Sequence, residues 1–231
     1  MTGFDWSPLF ATAKIAAAAT VLTFVTGIAA ARLVMSLKKG RALADALFSL
    51  PLVLPPTVTG FILLMLFGRN SPVGHLLDSI GMKVIFTWQG AALAAAAVSF
   101  PIMYRTARGA FESVDTDLTD MARILGCSRM DMLIHVWIPL SWHGIASGLT
   151  LSFARAVGEF GATIMVAGNL PGRTQTMSVA IYTAMQGGNR EMAYIWTAVI
   201  LLISFVLLAL LNILTGRQYS SRSSEKNERP L

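Results

Sequence analysis

The chain has 231 residues, of which 55% are hydrophobic and 13% charged, and its mean hydropathy is +0.63. A soluble domain carries about 25% charged residues, so this composition excludes an ordinary water-soluble domain and points to the membrane. The formal charge of +6 would raise nucleic acid as a partner in a soluble protein; here the placement of the charges decides.

In chain order, residues 1–9 are acidic to neutral, and the apolar run after them is too long for a cleaved signal core, so it reads as a retained first span. Span 1 covers 9–35, with Lys14 one turn inside its boundary, where the aliphatic stem can snorkel. Span 2 covers 45–67. Pro51, Pro55 and Pro56 remove backbone donors there and Gly60 follows one turn on, which predicts a helix kinked or unwound near its middle. A polar loop leads to span 3 at 88–107, and a polar insert follows. Span 4, at 140–167, holds the internal polar cluster Arg155, Gly158, Glu159 and Gly161. A second polar loop at 168–191 contains one short helix at 177–186. Span 5 covers 192–214, and the Ser- and charge-rich tail 217–231 reads as disordered. Each run has the roughly 20 residues that cross a hydrocarbon core of ~30 Å as a helix. The expected fold is an all-α polytopic membrane protein with five transmembrane helices in one domain, 9–216.

Five spans place the termini on opposite sides, and the basic residues orient them. Arg32, Lys38, Lys39, Arg41, Arg105, Arg108, Arg123, Arg129, Arg217, Arg222, Lys226 and Arg229 fall on one face, against Arg69, Lys83, Arg173 and Arg190 on the other. This bias puts the N-terminus outside and the C-terminus in the cytoplasm. It accounts for the net charge and removes the nucleic-acid reading.

The insert 117–140 then faces the cytoplasm. It reads as two short helices with a hinge. Asp117 can N-cap the first, with Asp120 in the first turn, where a carboxylate favours the positive helix end. Gly126 supplies the left-handed C-cap. Ser128-x-x-Asp131 approximates a capping box for the second helix, and Pro139 marks re-entry into an apolar run. Leu118, Met121 and Leu125 share one face of the first helix. Such a stripe at a membrane surface suits a groove in another protein; packing on its own bundle is the plainer alternative.

Catalytic and metal chemistry find no support. There is no phosphate-binding Gly-Lys-Ser/Thr and no His-Glu-x-x-His. The single cysteine, Cys127, excludes an internal disulfide. Past the first residue of each span Glu159 is the one carboxylate inside, and one acid makes no acid/base pair. A conduit or an anchor fits better than an enzyme.

Asp120-Met121-Ala122-Arg123-Ile124-Leu125-Gly126, then nine residues, then Val136-Trp137-Ile138-Pro139 resembles the "EAA" signature of the inner-membrane permeases of ABC importers. Ala122, Gly126 and Pro139 match outright, whereas Asp120 and Met121 replace the usual Glu and Ala. The stretches 49–60 and 153–164 are similar to the molybdate transport permeases, and less so to the sulfate ones. The resemblance implies a type I importer permease fold. It implies a homodimer in the cell inner membrane, a path between the two copies and no cofactor on this chain. Two cytoplasmic ATPase subunits would carry ATP and Mg, and a periplasmic or extracellular binding protein would deliver the oxyanion. It assigns Asp117, Asp120, Met121, Ala122, Leu125, Gly126 and Pro139 to coupling with the ATPase.

Pro55, Pro56, Thr57, Thr59 and Gly60 of the broken span, with Arg155, Gly158, Glu159 and Gly161 of span 4, are the expected gate or path. Broken helices in transporters expose backbone groups that a substrate or water can satisfy. Arg155 and Glu159, four apart, can pair, and Gly158 and Gly161 would allow close backbone approach. Sulfate or thiosulfate import, and a non-transporting anchor for a cytoplasmic partner, remain the rival readings.

Overall fold

The computed structural model describes the backbone of residues 5–227 and their side chains apart from those of 129 and 211–227. Every regular element among the described residues is helical. Helix α1 (Ser7–Ser36) starts with Pro8 in its first turn, where a missing N–H costs nothing. Helices α2 (Arg41–Val53) and α3 (Pro56–Phe67) are the two halves of the expected second span, bent by 110°. The double proline causes the break. Leu54 and Pro55 each precede a proline and are extended, at ψ 138° and 136°, because the following ring disfavours helical backbone. Pro51, by contrast, is accommodated inside α2.

After α3 comes α4 (Pro72–Ser79), a short helix inside the stretch read as a loop, capped by Ser71 Oγ accepting from Gly74 N at 2.8 Å. Helix α5 (Trp88–Glu112) is capped by Thr87 and runs five residues past the expected end of span 3. The insert folds as α6 (Thr116–Ile124), α7 (Arg129–Met132), a π-helical turn (Leu133–Trp137) and α8 (Ile138–Leu140). The fourth span is not one helix but two, α9 (Trp142–Val157) and α10 (Gly161–Ala167), bent by 61°. The expected short helix at 177–186 is present as α11 (Met177–Gln186). Helix α12 (Arg190–Asn227) continues through 217–227, where the sequence suggested no order. The Arg, Gln, Glu and Lys residues there propagate a helix already nucleated upstream at little cost. Residues 228–231 of that tail lie outside the described residues.

Two buried clusters fix the helix directions. One joins Ile15, Ala16 and Ala19 of α1 to Ala91, Ala92, Ala95 and Ala96 of α5, Ala156 and Val157 of α9, Met177 of α11 and Trp196 of α12. The other joins Ile28, Ala31 and Val34 of α1 to Met103, Tyr104, Ala107 and Phe111 of α5, Ile145 of α9, and Ala122, Met132 and Trp137 of the insert. So α1 and α5 run the same way, α9 runs against them, and the insert sits at the end remote from α11. Between α10, α3 and α5 a third cluster packs Ala162 and Val166 against Ala94, Val98 and Leu63.

By length and apolarity α1 and residues 190–210 each suffice to cross a membrane, and each bent pair does so if taken as one span. Helix α5 is 25 residues long but Ala-rich, and it lies at the centre of the bundle with α1 and α9 packed on it. Its neighbours are helices rather than lipid, so small side chains serve it better than large apolar ones.

Candidate coupling surface and gate

Helix α6 is fixed at both ends by local chemistry. Its N-cap is Asp115, whose Oδ1 accepts from Asp117 N at 2.9 Å; the expected cap, Asp117, instead sits in the first turn as an acid at the positive end. The reason is where α5 stops. Ser113 closes α5, so the chain turns into α6 two residues earlier than the insert alone suggests. At the other end Gly126 adopts φ +82°, as expected. Cys127 N donates to Ala122 O at 3.1 Å and Gly126 N to Arg123 O at 3.0 Å, the paired bonds of a Schellman C-cap. The Ser128–Asp131 box also forms: Asp131 N donates to Ser128 Oγ and Ser128 N to Asp131 Oδ2, each at 3.2 Å. The Ser128 hydroxyl, which donates to Asp131 Oδ2 at 2.6 Å, and then the Ser128 backbone N–H hold the Asp131 carboxyl below the ordinary carboxylate range.

The two faces of α6 divide cleanly. Thr119 and Ala122 are buried on the bundle. Leu118, Met121 and Leu125 are 46%, 61% and 80% exposed, and Ile124, which the stripe omitted, is 85% exposed. Asp120 is exposed and paired with Arg123 at 2.5 Å. Ala122 thus seats α6 in the buried cluster that joins the insert to the bundle, while the apolar side chains around it project away from the protein.

Behind the seat stands Trp137, buried against Phe111 of α5 with ring centroids 5.7 Å apart; the Arg32 guanidinium of α1 lies 3.9 Å from its ring centroid. Trp137 ends the π turn, and Ile138 N donates to Leu133 O, five residues back. Pro139 explains the wider turn. It has no N–H for His135 O, and its ring would crowd that carbonyl in a regular helix.

At the other end the two broken spans meet. The position a Cβ would take on Gly60 of α3 is 2.7 Å from Ala162 Cα; on Gly161 of α10 it is 3.1 Å from Thr57 Cγ2 and 3.2 Å from Pro56 Cβ. Pro56, Thr57, Gly60 and Gly161 therefore form one contact in which the break of one span abuts that of the other. Thr59 is buried beside them and Thr57 is exposed. Gly158 does not share the contact. It C-caps α9, is exposed, and within the chain has no neighbour closer than 3.9 Å to such a Cβ.

Arg155 and Glu159 pair across the α9–α10 break, with Arg155 Nη1 2.7 Å from Glu159 Oε2, a charge contact too oblique to be a hydrogen bond. Glu159 Oε1 accepts from Ala162 N at 2.8 Å, so the same carboxylate caps the first turn of α10. Each charge sits at the helix end whose dipole favours it, the cation in the last turn of α9 and the anion before α10. Only 2% of Glu159 is exposed, against a third of the Arg155 side chain.

A polar network that sequence reasoning missed clasps α2 to α5. Tyr104 donates to Asp45 Oδ1 at 2.7 Å, Arg108 pairs with Asp45 and with Glu112, and Arg41 pairs with Glu112. Phe48 packs edge-on against Phe100 and Tyr104 beside it. Partners 59 to 71 residues apart leave no periodic signal. Of the four basic residues expected on the far face, Arg69, Lys83 and Arg173 line one cavity of about 510 Å³, and Arg69 lies 3.5 Å from Asp78.

The family described as "Binding-protein-dependent transport system inner membrane component" matches residues 23–219. YvgM of Bacillus subtilis (strain 168) is 42% identical over 88% of this chain and 90% of its own. The molybdenum transport system permease protein ModB of Escherichia coli (strain K12) is 38% identical over 98% of both chains. The sulfate transport system permease protein CysT of Salmonella typhimurium is 36% identical over 77% of this chain and 64% of that protein. Among solved structures, a bacterial ABC transporter for alginate import superposes with a TM-score of 0.73 at 17% identity, over 91% of this chain and 78% of that one. The MetNI methionine ABC transporter in inward-facing form gives 0.66 at 14%, over 90% and 94%. At such identities the structural likeness establishes the fold.

Proposed function

This chain belongs to the family of binding-protein-dependent transport system inner membrane components, a multi-pass inner-membrane transport subunit, and on that premise we propose that it carries molybdate, or the isosteric tungstate, into the cell. The observation that carries the substrate class is the match to the molybdenum permease ModB along nearly the whole of both chains, where the sulfate permease CysT aligns over a smaller share.

In this reading α1, the α2–α3 pair, α5, the α9–α10 pair and α12 are five spans, with the N-terminus outside and the C-terminus in the cytoplasm. Two copies enclose the path, and an external binding protein delivers the anion. Two separate ATPase subunits hold ATP and Mg, and their closure moves α6, whose Leu118, Met121, Ile124 and Leu125 face supplies the apolar grip. The displacement passes through Ala122, Met132 and Trp137 to α1 and α5. The contact of Gly60 with the first turn of α10 is the hinge at which the path opens to alternate sides. Buried intramembrane charge is costly, by at least about 2.5 kcal/mol per ionised group. Pairing Glu159 with Arg155 and with the α10 backbone lowers that cost and leaves little free positive charge. A path that binds an oxyanion weakly also releases it.

Reconstitution with the cognate ATPase and binding protein in liposomes tests this. Molybdate should stimulate ATP hydrolysis and accumulate inside. Stimulation by sulfate but not molybdate would overturn the substrate, and hydrolysis indifferent to both, with no uptake, would favour the anchor.

A further inference from the structure

A second cavity, of about 600 Å³, opens where the N-terminal third of α1 faces the start of α5 and the loop before α11. Its α1 wall is Ser7, Phe10, Ala11 and Lys14, one helical stripe, and Arg173 and Thr87 stand opposite. The Lys14 ammonium lies 3.8 Å from the centroid of the Trp88 ring, a cation–π contact that holds it at the mouth. The lining contains two cations and no acid. The nearby Asp5 carboxylate is engaged by Ser7, through both its backbone N and its Oγ at 2.9 Å. The neighbouring cavity with Arg69 and Lys83 contains Asp78 and is not uniformly basic.

Depth and continuity identify the occupant. Lys14 lies seven residues into α1, about 10 Å along the axis and one turn inside the expected span, from where its aliphatic stem can carry the ammonium up to the headgroups. Trp6, Phe10 and Phe86 are exposed around it, as aromatic residues are at a membrane interface. Below Lys14 the same face of α1 continues as Ala17, Val21 and Val25, all exposed, with Val21 at 65% and Val25 at 60%. From Lys14 to Val25 is about 16 Å, half of a ~30 Å hydrocarbon core. A basic, hydrogen-bonding mouth that passes into an uncovered apolar stripe one leaflet long has the shape of one amphiphile.

We propose that this cavity is a binding site for an anionic phospholipid. Its phosphate is held by Lys14 and Arg173 with Thr87 at the rim, and an acyl chain lies along Ala17, Val21 and Val25. A zwitterionic headgroup brings its own cation and gains less from two basic side chains. The site sits at the end of the bundle opposite α6 and does not depend on the transported anion.

Native mass spectrometry of the detergent-purified chain, titrated with phosphatidylglycerol or phosphatidylcholine, tests the site. One phosphatidylglycerol per protomer should be retained preferentially. Lys14→Gln and Arg173→Gln should each weaken it about fivefold, the worth of one cation at a membrane surface. Lys14→Arg should retain it, and Lys83→Gln should leave it unchanged. Gel filtration and thermal midpoint confirm that each variant is folded. Equal retention of the two lipids, or no loss in the Lys14→Gln/Arg173→Gln double variant, would overturn the proposal. Displacement of the lipid by millimolar inorganic phosphate would assign the site to a soluble anion instead. Disulfide capture between cysteines placed at Ala17 in two copies would show that a second protomer covers the stripe, and would overturn it too.

Discussion

The contact between the two broken spans makes a graded prediction from three glycines. Adding a Cβ at Gly60 places it 2.7 Å from Ala162 Cα, 2.9 Å from Met165 Cβ and 3.0 Å from Ala162 O. Ordinary carbon contacts lie near 3.5–4.0 Å, so Gly60→Ala forces α3 and α10 apart by roughly 0.5–1 Å. Overpacking of this kind costs about 1–3 kcal/mol, and the higher helix propensity of Ala returns about 1 kcal/mol. Gly158→Ala meets open space at φ −86°, a conformation open to Ala. It should be neutral or gain about 0.4–1 kcal/mol from the unfolded chain. The two variants should therefore differ by about 2 kcal/mol, with Gly161→Ala between them, since its nearest contacts are 3.1–3.2 Å. At this chain length that gap is about 4–8 °C in unfolding midpoint. Differential scanning fluorimetry of the purified variants in one detergent reads the order directly, and uptake in proteoliposomes should fall in the same order. A Gly60→Ala protein as stable and active as the wild type, or a Gly158→Ala protein more damaged than it, would refute the reasoning.

Ile124→Glu with Leu125→Glu should abolish copurification of the ATPase while leaving membrane insertion normal, because both side chains are exposed; retained copurification removes α6 as the docking face. Arg155→Met should lower the unfolding midpoint more than Glu159→Gln, because it strands a buried carboxylate, whereas Gln keeps an acceptor for Ala162 N. Equal midpoints would contradict that. The Asp131 carboxyl is held below its ordinary value in the fold, so its capping contribution is complete at neutral pH and fades as pH falls through that lowered value. Hydrogen exchange of the Ser128 amide, which donates to the Asp131 carboxylate, should accordingly rise in acid relative to a non-titrating Asp131→Asn control, and a flat ratio would count against the box.

Where the chemistry is local, the sequence suffices. Gly126, the Ser128–Asp131 box and the exposed Leu118–Met121–Leu125 face are set by residues within one or two helical turns. The double proline likewise announces the α2–α3 break. The break at Gly158–Phe160 was legible only as a polar cluster, because no proline marks it and the capping carboxylate, Glu159, reads equally well as half of an i,i+4 pair within one helix. Three features depend on residues distant in the chain and left no pattern to read: the Asp45–Arg108–Glu112 clasp, the Lys14–Trp88 contact, and the meeting of Gly60 with α10. The π turn is intermediate. Pro139 was visible, but its effect emerged only with Trp137 packed between Phe111 and Arg32.

The cysteine at position 127, exposed in the hinge of the insert, allows the central claim to be tested on the unmodified protein. A membrane-impermeant maleimide applied to sealed vesicles of both orientations reads which side that hinge faces and whether a partner covers it. Labelling should occur in inverted vesicles, fall when the ATPase subunit is bound, and be absent from right-side-out vesicles. Labelling from the outer side, or an ATPase that leaves the rate unchanged, would contradict a chain driven from the cytoplasm through this insert.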